Sequence, residues 1–374
     1  MKTRAAVLCE MGKPQPYRES KPLEVGEIDL EGPGPGEVLV QVMAAGVCHS
    51  DLSVINASRP RVMPMVMGHE AAGIVRELGQ GVTDFAPGDH VIFSFVPMCG
   101  RCAYCAIGRP ALCETGNRAN TAGTLLGGGR RFRRGDTLFN HHLGVSAFSQ
   151  FTVAAQESLV RIDPDLPLEE AALFGCAVIT GVGAVFNTAR VEPGTSVAVF
   201  GLGGVGLSSV IGALAAGANP ILAVDLVPSK LELARRIGAT HTVDASASDA
   251  VEQIKELTGG GVDYAFESVG HEGVLAQAYA ATRRGGTTVT VGLPHPSRQL
   301  VIPAVSLVAE ERTLRGSYMG SAVPRRDIPR YIAMYRAKRL PVDALVSRHL
   351  ALDEINSSFD SLDSGAVARQ VVRF

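Results

Sequence analysis

Ser196-Val197-Ala198-Val199-Phe200-Gly201-Leu202-Gly203-Gly204-Val205-Gly206 is the stretch that decides the fold. A short apolar run reads as a buried strand. It feeds into G-x-G-x-x-G, and the apolar stretch Leu207 to Ala216 then reads as a helix. Gly201, Gly203, Gly204 and Gly206 permit a tight turn, and with Val205 they let backbone approach a pyrophosphate at a helix N-terminus. Asp225 lies at the end of the next apolar run, Ile221-Leu222-Ala223-Val224. A carboxylate there accepts hydrogen bonds from the adenosine ribose and repels a 2′-phosphate, which points to NAD rather than NADP. A glycine-rich turn without a ligand is the alternative. The strand before it and the acid after it favour the dinucleotide.

Outward from this turn the texture is that of βαβ units. Lys230 to Ile237 and Ala276 to Thr282 read as helices, and Val262 to Phe266 and Thr287 to Val291 as strands. That alternation predicts an α/β fold with a parallel sheet. The first 150 or so residues read differently. Val38 to Val42, Ala71 to Val75 and His90 to Phe93 are short apolar runs bounded by turns such as Gly32-Pro33-Gly34-Pro35-Gly36, so this part is β-rich. The tail after Gly320 has helical segments and a last strand near Gln370 to Val372. A chain of 374 residues exceeds what one core usually supports, so two domains are expected.

A net charge of -2 excludes the strongly basic class of nucleic-acid or anionic-membrane binders. No apolar run reaches the roughly eighteen residues of a membrane span, and the start has no apolar region of the signal-peptide type. The expectation is a cytoplasmic globular protein with neither nucleic-acid nor membrane partner. The basic stretch Arg130-Arg131-Phe132-Arg133-Arg134 is short and isolated, and a solvated loop is favoured over an anion site.

Four of the seven cysteines form one run, Cys99-x2-Cys102-x2-Cys105-x7-Cys113. Short Cys-x2-Cys steps let a single loop wrap a tetrahedral ion with four thiolates. The alternatives are disulfides or buried thiols. In a cytosolic chain thiols stay reduced, so a structural zinc site is the expectation. Three further candidates stand far apart: Cys48 in Gly46-Val47-Cys48-His49-Ser50-Asp51, His69 in Gly68-His69-Glu70, and Cys176 in Phe174-Gly175-Cys176. Spacing alone does not join them.

Taken together, Gly68-His69-Glu70-x2-Gly73, the four-cysteine lobe, Phe174-Gly175-Cys176 and the Gly201 to Gly206 turn resemble the zinc-dependent medium-chain alcohol dehydrogenases along the whole chain. The segment Cys113 to Phe151 is similar to the extra loop of the longer, dimeric members and of bacterial aryl-alcohol relatives. The resemblance implies a β-rich GroES-like catalytic domain at 1–178, a Rossmann domain at 179–319 and a return to the catalytic domain at 320–374. It implies two zinc ions per chain, with Cys48, His69 and Cys176 on the catalytic one, and NAD as coenzyme. Two thiolates and an imidazole leave a fourth position open for a substrate oxygen.

By the same resemblance Asp51 orients His69, Glu70 sits behind the metal, and Ser50 holds the alcohol oxygen and passes its proton on. Thr180, Val205, Val269 and Val291 line the nicotinamide. Lys230 reaches the ribose, while His49 and Arg369 reach the pyrophosphate. Phe95, His142, Leu293 and Tyr318 form the substrate channel, with Arg59 and Arg118 at its mouth, either solvated or facing a polar tail. One departure stands out: Ser53 occupies the place where many relatives carry a histidine as final proton acceptor, and a hydroxyl is no base near neutral pH. Proton release then uses water or His49.

The implied reaction is zinc-assisted oxidation of a primary alcohol, aromatic or medium-chain, with hydride transfer to NAD. An S-(hydroxymethyl)thiol-conjugate dehydrogenase is the rival within enzymes. A non-catalytic NAD-binding redox sensor is the rival from another class, and the intact set Cys48, Ser50, His69 and Cys176 argues against it. The apolar segments Val301-Ile302 and Leu314 to Tyr318 imply a homodimer, again by resemblance.

Overall fold

The computed structural model describes residues 1–374 apart from Ser248 and Ala366. The chain divides into two compact units, one built from Met1–Cys176, Val323–Pro329 and Val346–Phe374, the other from Ala177–Ala322 and Arg330–Leu345. The first division falls between Cys176 and Ala177, beside the expected 178. The tail differs from the expected single return, because residues 330–345 belong with the nucleotide unit.

The second unit is organised by the strand Val197–Phe200, which lies inside a six-stranded sheet. Ile221–Asp225 and His241–Asp244 follow on one side, and Val262–Glu267, Thr282–Thr290 and Thr313–Gly316 on the other. All the pairings are parallel, with Val197 opposite Ile221 on one side and Tyr264 on the other. Strands buried on both faces need continuous apolar runs rather than alternation, and VAVF and ILAVD supply them. Phe200, Leu222, Val224, Val243, Ile254 and Ala265 form the core. Chain direction across the sheet reverses at Val197–Phe200, and ligands of such sheets bind outside the strand ends at that point.

The first unit holds a closed barrel and a seven-stranded sheet. The barrel runs Lys2–Leu8, Leu23–Leu30, Phe132–Arg134, Thr137–His141 and Met65–Val66. Its interior is filled by Ala5, Val7, Ile28, Leu30, Val66, Phe132 and Phe139. The larger sheet is built on Glu37–Val47, which pairs antiparallel with Glu70–Leu78, Phe151–Ala155 and Gln370–Arg373.

The segment after Cys113 is a helix, Glu114–Ala122, followed by two barrel strands rather than an irregular loop. Its basic stretch is paired within the chain, Arg131 against a buried acid and Arg133 and Arg134 at the surface. Arg131 Nε donates to Glu37 Oε2 at 2.7 Å, Arg130 to Asn140 at 2.8 Å, and Arg134 stands 3.4 Å from Glu24. Glu37 is 4 % exposed, so Arg131 closes a nearly buried pair. Among the described residues no helix is long and apolar enough to cross a membrane.

Candidate active site

Cys48 directly follows the strand Glu37–Val47, and His69 directly precedes Glu70–Leu78. The two strands are antiparallel with Gly46 opposite Glu70, so the end of one meets the beginning of the other and the two side chains become neighbours. Gly68 makes the approach possible. Its φ is +93°, and a Cβ there would lie 2.5 Å from the Phe148 amide. Cys176 arrives from a later segment of the chain. Gly175 packs so closely on the next strand, His90–Phe93, that a Cβ would lie 2.5 Å from the Phe93 carbonyl. One donor atom from each of Cys48, His69 and Cys176 lies within 4.8 Å of the others, and His69 Nε2 is 3.3 Å from Cys176 Sγ.

All three are buried. A hydrogen bond with Cys176 holds the Cys48 thiol well below its ordinary range, and Arg369 and His69 add to this against the cost of burial. That same bond, together with burial, pushes Cys176 up. The pair carries one negative charge easily, while a second needs a cation between the sulfurs. Two sulfurs and an imidazole suit zinc, with a fourth tetrahedral position left over.

Behind His69 lies Asp51, on the helix His49–Ile55. His69 Nδ1 and Asp51 Oδ1 are 3.0 Å apart, which fixes the tautomer and leaves Nε2 as the free lone pair. His142, expected in a substrate channel, lies beside the same acid. It is 1 % exposed, with Nδ1 3.1 Å from the same Asp51 oxygen and its ring edge-on to His69 at 5.6 Å. The strand Thr137–His141 ends just before it, and that ending turns the imidazole inward to the acid. Phe95 also packs edge-on against His69, at 5.6 Å.

Glu70 is fully buried, and burial pushes its carboxyl up to about 7 even against the pull of Arg369. Arg369 is 2 % exposed and donates to Glu70 Oε2 and, at 3.1 Å, to the Val47 carbonyl. The residue expected on the pyrophosphate is thus bound to the acid behind the thiols. Ser50 is half-buried and His49 exposed, at the start of the helix that carries Asp51. The Ser53 hydroxyl donates to the Ser50 carbonyl at 2.8 Å, a bond within its own helix turn. Arg59 is half-buried, and Arg118 is exposed on the helix Glu114–Ala122.

The four-cysteine run closes on itself. Cys99 and Gly116 amides each stand 3.3 Å from Cys113 Sγ, the Cys102 amide 3.3 Å from Cys99 Sγ, and Cys102 Sγ 3.9 Å from Cys113 Sγ. Burial opposes charge at Cys99, yet the Arg101 and Cys102 amides bring its thiol down to about 6. All seven cysteines are free thiols, so the disulfide alternative falls away. Amide donors aimed at sulfur stabilise thiolates, and four convergent thiolates fit a closed metal site.

In the nucleotide unit, a Cβ on Gly206 would lie 1.8 Å from the Gly201 carbonyl, so glycine alone permits that turn. Asp225, expected on a ribose, is held within the fold: Oδ2 accepts from the Leu202 amide at 2.7 Å and Oδ1 from Leu226 and Val227 at 2.8 and 3.0 Å. Lys230 Nζ stands 4.0 Å away. Val269 closes over Gly201, where a Cβ would meet its Cγ2 at 2.4 Å. Thr180 precedes Gly181, which packs on the Val205 carbonyl. Val291 follows the strand Thr282–Thr290, while Leu293 and Tyr318 are 50 % and 37 % exposed. Sequence reading missed Glu267, which is buried and accepts from the Val269 amide at 2.7 Å and from Thr290 at 2.8 Å. A lone acid closing an apolar strand was the available signal.

Comparison with known proteins agrees with this geometry. Residues 34–164 match the alcohol dehydrogenase GroES-like domain and residues 204–337 the zinc-binding dehydrogenase family. The chain is 40 % identical to putative alcohol dehydrogenase D of Mycobacterium tuberculosis, over all of both chains. It is 39 % identical to S-(hydroxymethyl)glutathione dehydrogenase of Escherichia coli, again over all of both. The crystal structure of benzyl alcohol dehydrogenase from Acinetobacter calcoaceticus superposes with a TM-score of 0.93 at 33 % identity, covering 100 % of this chain and 99 % of that one. The fold, the thiol–imidazole cluster and these matches place the chain among the oxidoreductases that use zinc and a nicotinamide coenzyme: it belongs to the zinc-dependent medium-chain alcohol dehydrogenase family.

Proposed function

We propose that this chain oxidises a primary alcohol, aromatic or medium-chain, to its aldehyde and catalyses the reverse, with NAD as coenzyme and two zinc ions per chain. The observation that carries the reading is the buried set Cys48, His69 and Cys176, backed by Asp51 on His69 Nδ1. Zinc held there would supply Lewis-acid polarisation of an alcohol oxygen, and a nicotinamide coenzyme would supply the hydride acceptor. The chain's own groups do the rest. Asp51 keeps the His69 lone pair available at Nε2. The Ser50 hydroxyl accepts the alcohol proton and passes it to water or to the exposed His49. Arg369 offsets the charge of Glu70. Asp225 and Lys230 hold the adenosine ribose, and Thr180, Val205, Val269 and Val291 pack the nicotinamide. Phe95 gives the alcohol an apolar neighbour beside His69, and the second zinc would sit on Cys99, Cys102, Cys105 and Cys113.

A panel of benzyl alcohol, 1-hexanol and 2-propanol with NAD or NADP tests this. The expected order is a primary alcohol above 2-propanol, with NAD preferred; a secondary alcohol or NADP preferred in kcat/KM sinks it. The thiol-conjugate reading has the Escherichia coli relative in its favour. Formaldehyde with glutathione in the same panel decides between them, since a conjugate dehydrogenase prefers that adduct to every free alcohol.

The dimer and the compartment are part of the same proposal. Val301, Val305 and Val308 are 84 %, 70 % and 81 % exposed in the nucleotide unit, whose sheet ends at the strand Thr313–Gly316. Such a surface is apolar enough to pair across a two-fold axis. Light scattering at micromolar concentration should return twice the mass of the chain, and a monomer would remove the idea. A cytoplasmic setting keeps the four lobe thiols reduced for metal.

A further inference from the structure

The strand His90–Phe93 ends just before Phe95, whose ring stands edge-on to His69 at 5.6 Å. Past the strand end the ladder no longer supplies partners, so the backbone of Ser94 to Pro97 takes them from elsewhere. The Ser94 amide donates to the Ser158 carbonyl at 2.7 Å. The Phe95 carbonyl accepts from Asn120 Nδ2 at 2.9 Å, and Asn120 is 6 % exposed. A carbonyl at that place fixes which end of the amide faces it. Asn120 Oδ1 has no hydrogen-bond partner among the described residues. A buried amide satisfied at one end only costs free energy, and an apolar residue of the same size would avoid that cost. What the amide supplies instead is a fixed Phe95 carbonyl.

The helix that carries Asn120, Glu114–Ala122, is itself anchored on the same segment. Its N-cap is Cys113, whose sulfur accepts from the Gly116 amide at 3.3 Å. A Cβ on Gly116 would collide with the Pro97 carbonyl, so helix and segment touch backbone to backbone. One helix thus holds the segment at Phe95 and at Pro97. Gly175, beside Cys176, packs in the same close way on the Phe93 carbonyl. Phe95 stands between these anchors.

We propose that Asn120 is a positioning residue: it holds the Phe95 backbone so that the ring stays against His69 as a fixed wall, and thereby favours aromatic over flexible aliphatic alcohols. This rests on the alcohol dehydrogenase reading above and deepens it by choosing a substrate class. A ring held in place packs against a second ring without first having to be ordered, whereas a flexible chain adapts to a loosened wall.

The test compares kcat/KM for benzyl alcohol with that for 1-hexanol, using holoenzyme and NAD. Wild type should prefer benzyl alcohol. Asn120→Leu removes the donor at nearly constant volume and should lower the ratio by about 3- to 10-fold, the range of one net hydrogen bond. The loss should appear as a higher KM for benzyl alcohol, with kcat nearly kept and zinc content unchanged. A merely structural role would weaken both substrates together. Asn120→Ser, too short to reach the carbonyl, carries the same expectation if the leucine variant does not fold. In a Phe95→Leu background, Asn120→Leu should leave the ratio where Phe95→Leu alone puts it. A wild type that prefers 1-hexanol, a folded Asn120 variant that keeps the wild-type ratio, or two substitutions whose effects on the ratio multiply overturns the assignment. If wild type oxidises neither alcohol, the parent reading fails and takes this one with it. If it oxidises both and the Asn120 variants keep its ratio, only the Asn120 assignment fails.

Discussion

His69 Nδ1 lies 3.0 Å from Asp51 Oδ1, with the two side chains 1 % and 0 % exposed. A buried carboxylate on the outer nitrogen of an imidazole sets its tautomer and raises its basicity toward a metal. Asp51→Asn keeps the shape and removes the charge. It should release the catalytic zinc to a chelator roughly 10- to 100-fold more readily while leaving the lobe zinc in place. Equal release from both sites in variant and wild type would show that Asp51 has no such role.

Ser50 and Ser53 should separate cleanly. Ser53 spends its hydroxyl on the Ser50 carbonyl, inside one helical turn. Ser50→Ala should cut alcohol oxidation by about a hundred- to ten-thousandfold, the range of general acid–base contributions. Ser53→Ala should change it little. Turnover against pH for both variants is the check, and a loss from Ser53→Ala as large as that from Ser50→Ala would place Ser53 in the proton path.

Asp225 holds three backbone amides and is expected to select the coenzyme, and one substitution tests both roles. Its carboxylate accepts three backbone amides, including that of Leu202 within the glycine turn. Asp225→Gly should erode the NAD preference and also lower the melting temperature without coenzyme, since each charge-assisted bond contributes about 1.5–3 kcal/mol. Coenzyme kinetics and calorimetry of the apo protein read the two effects separately. An unchanged apo melting temperature would confine Asp225 to the coenzyme.

His141 sets a pH dependence of stability. Burial first, and then Arg131 and Arg130, lower its pKa from 6.5 to about 3. In that window the unfolded chain protonates the imidazole and the folded chain does not. The contribution is therefore complete above about pH 6.5 and declines as pH falls toward 3. One proton is worth about 1.4 kcal/mol per pH unit. Between pH 6 and 4 the slope of unfolding free energy should be shallower in His141→Gln by up to about that amount. Equal slopes would mean that the buried imidazole takes up its proton in the fold.

What was legible in the sequence follows from the range of the contacts. The Gly201 to Gly206 turn and the Cys99 to Cys113 run were readable because their partners lie within a few residues. Cys48 and His69 meet through the register that sets Gly46 opposite Glu70, Cys176 joins them through the close packing of Gly175 on Phe93, and no spacing encodes either. A resemblance had to join them. His142 was expected in a channel by resemblance, and its closeness to Asp51 had no signal in the sequence, because residue type says nothing of which way a strand end turns. Arg131 finds Glu37 across 94 positions, so the basic stretch could not be read as structural from its own composition.

Zinc content and alcohol oxidation measured on the same freshly purified protein test the central claim most directly. Wild type should hold two zinc ions per chain. Cys176→Ser should hold one and lose NAD-linked benzyl alcohol oxidation by about a thousandfold or more, in keeping with the several kcal/mol a Lewis acid supplies. The coenzyme affinity of that variant should stay near the wild-type value. Wild type with one zinc or none and full activity, or a Cys176→Ser variant that oxidises alcohol at the wild-type rate, would contradict the account.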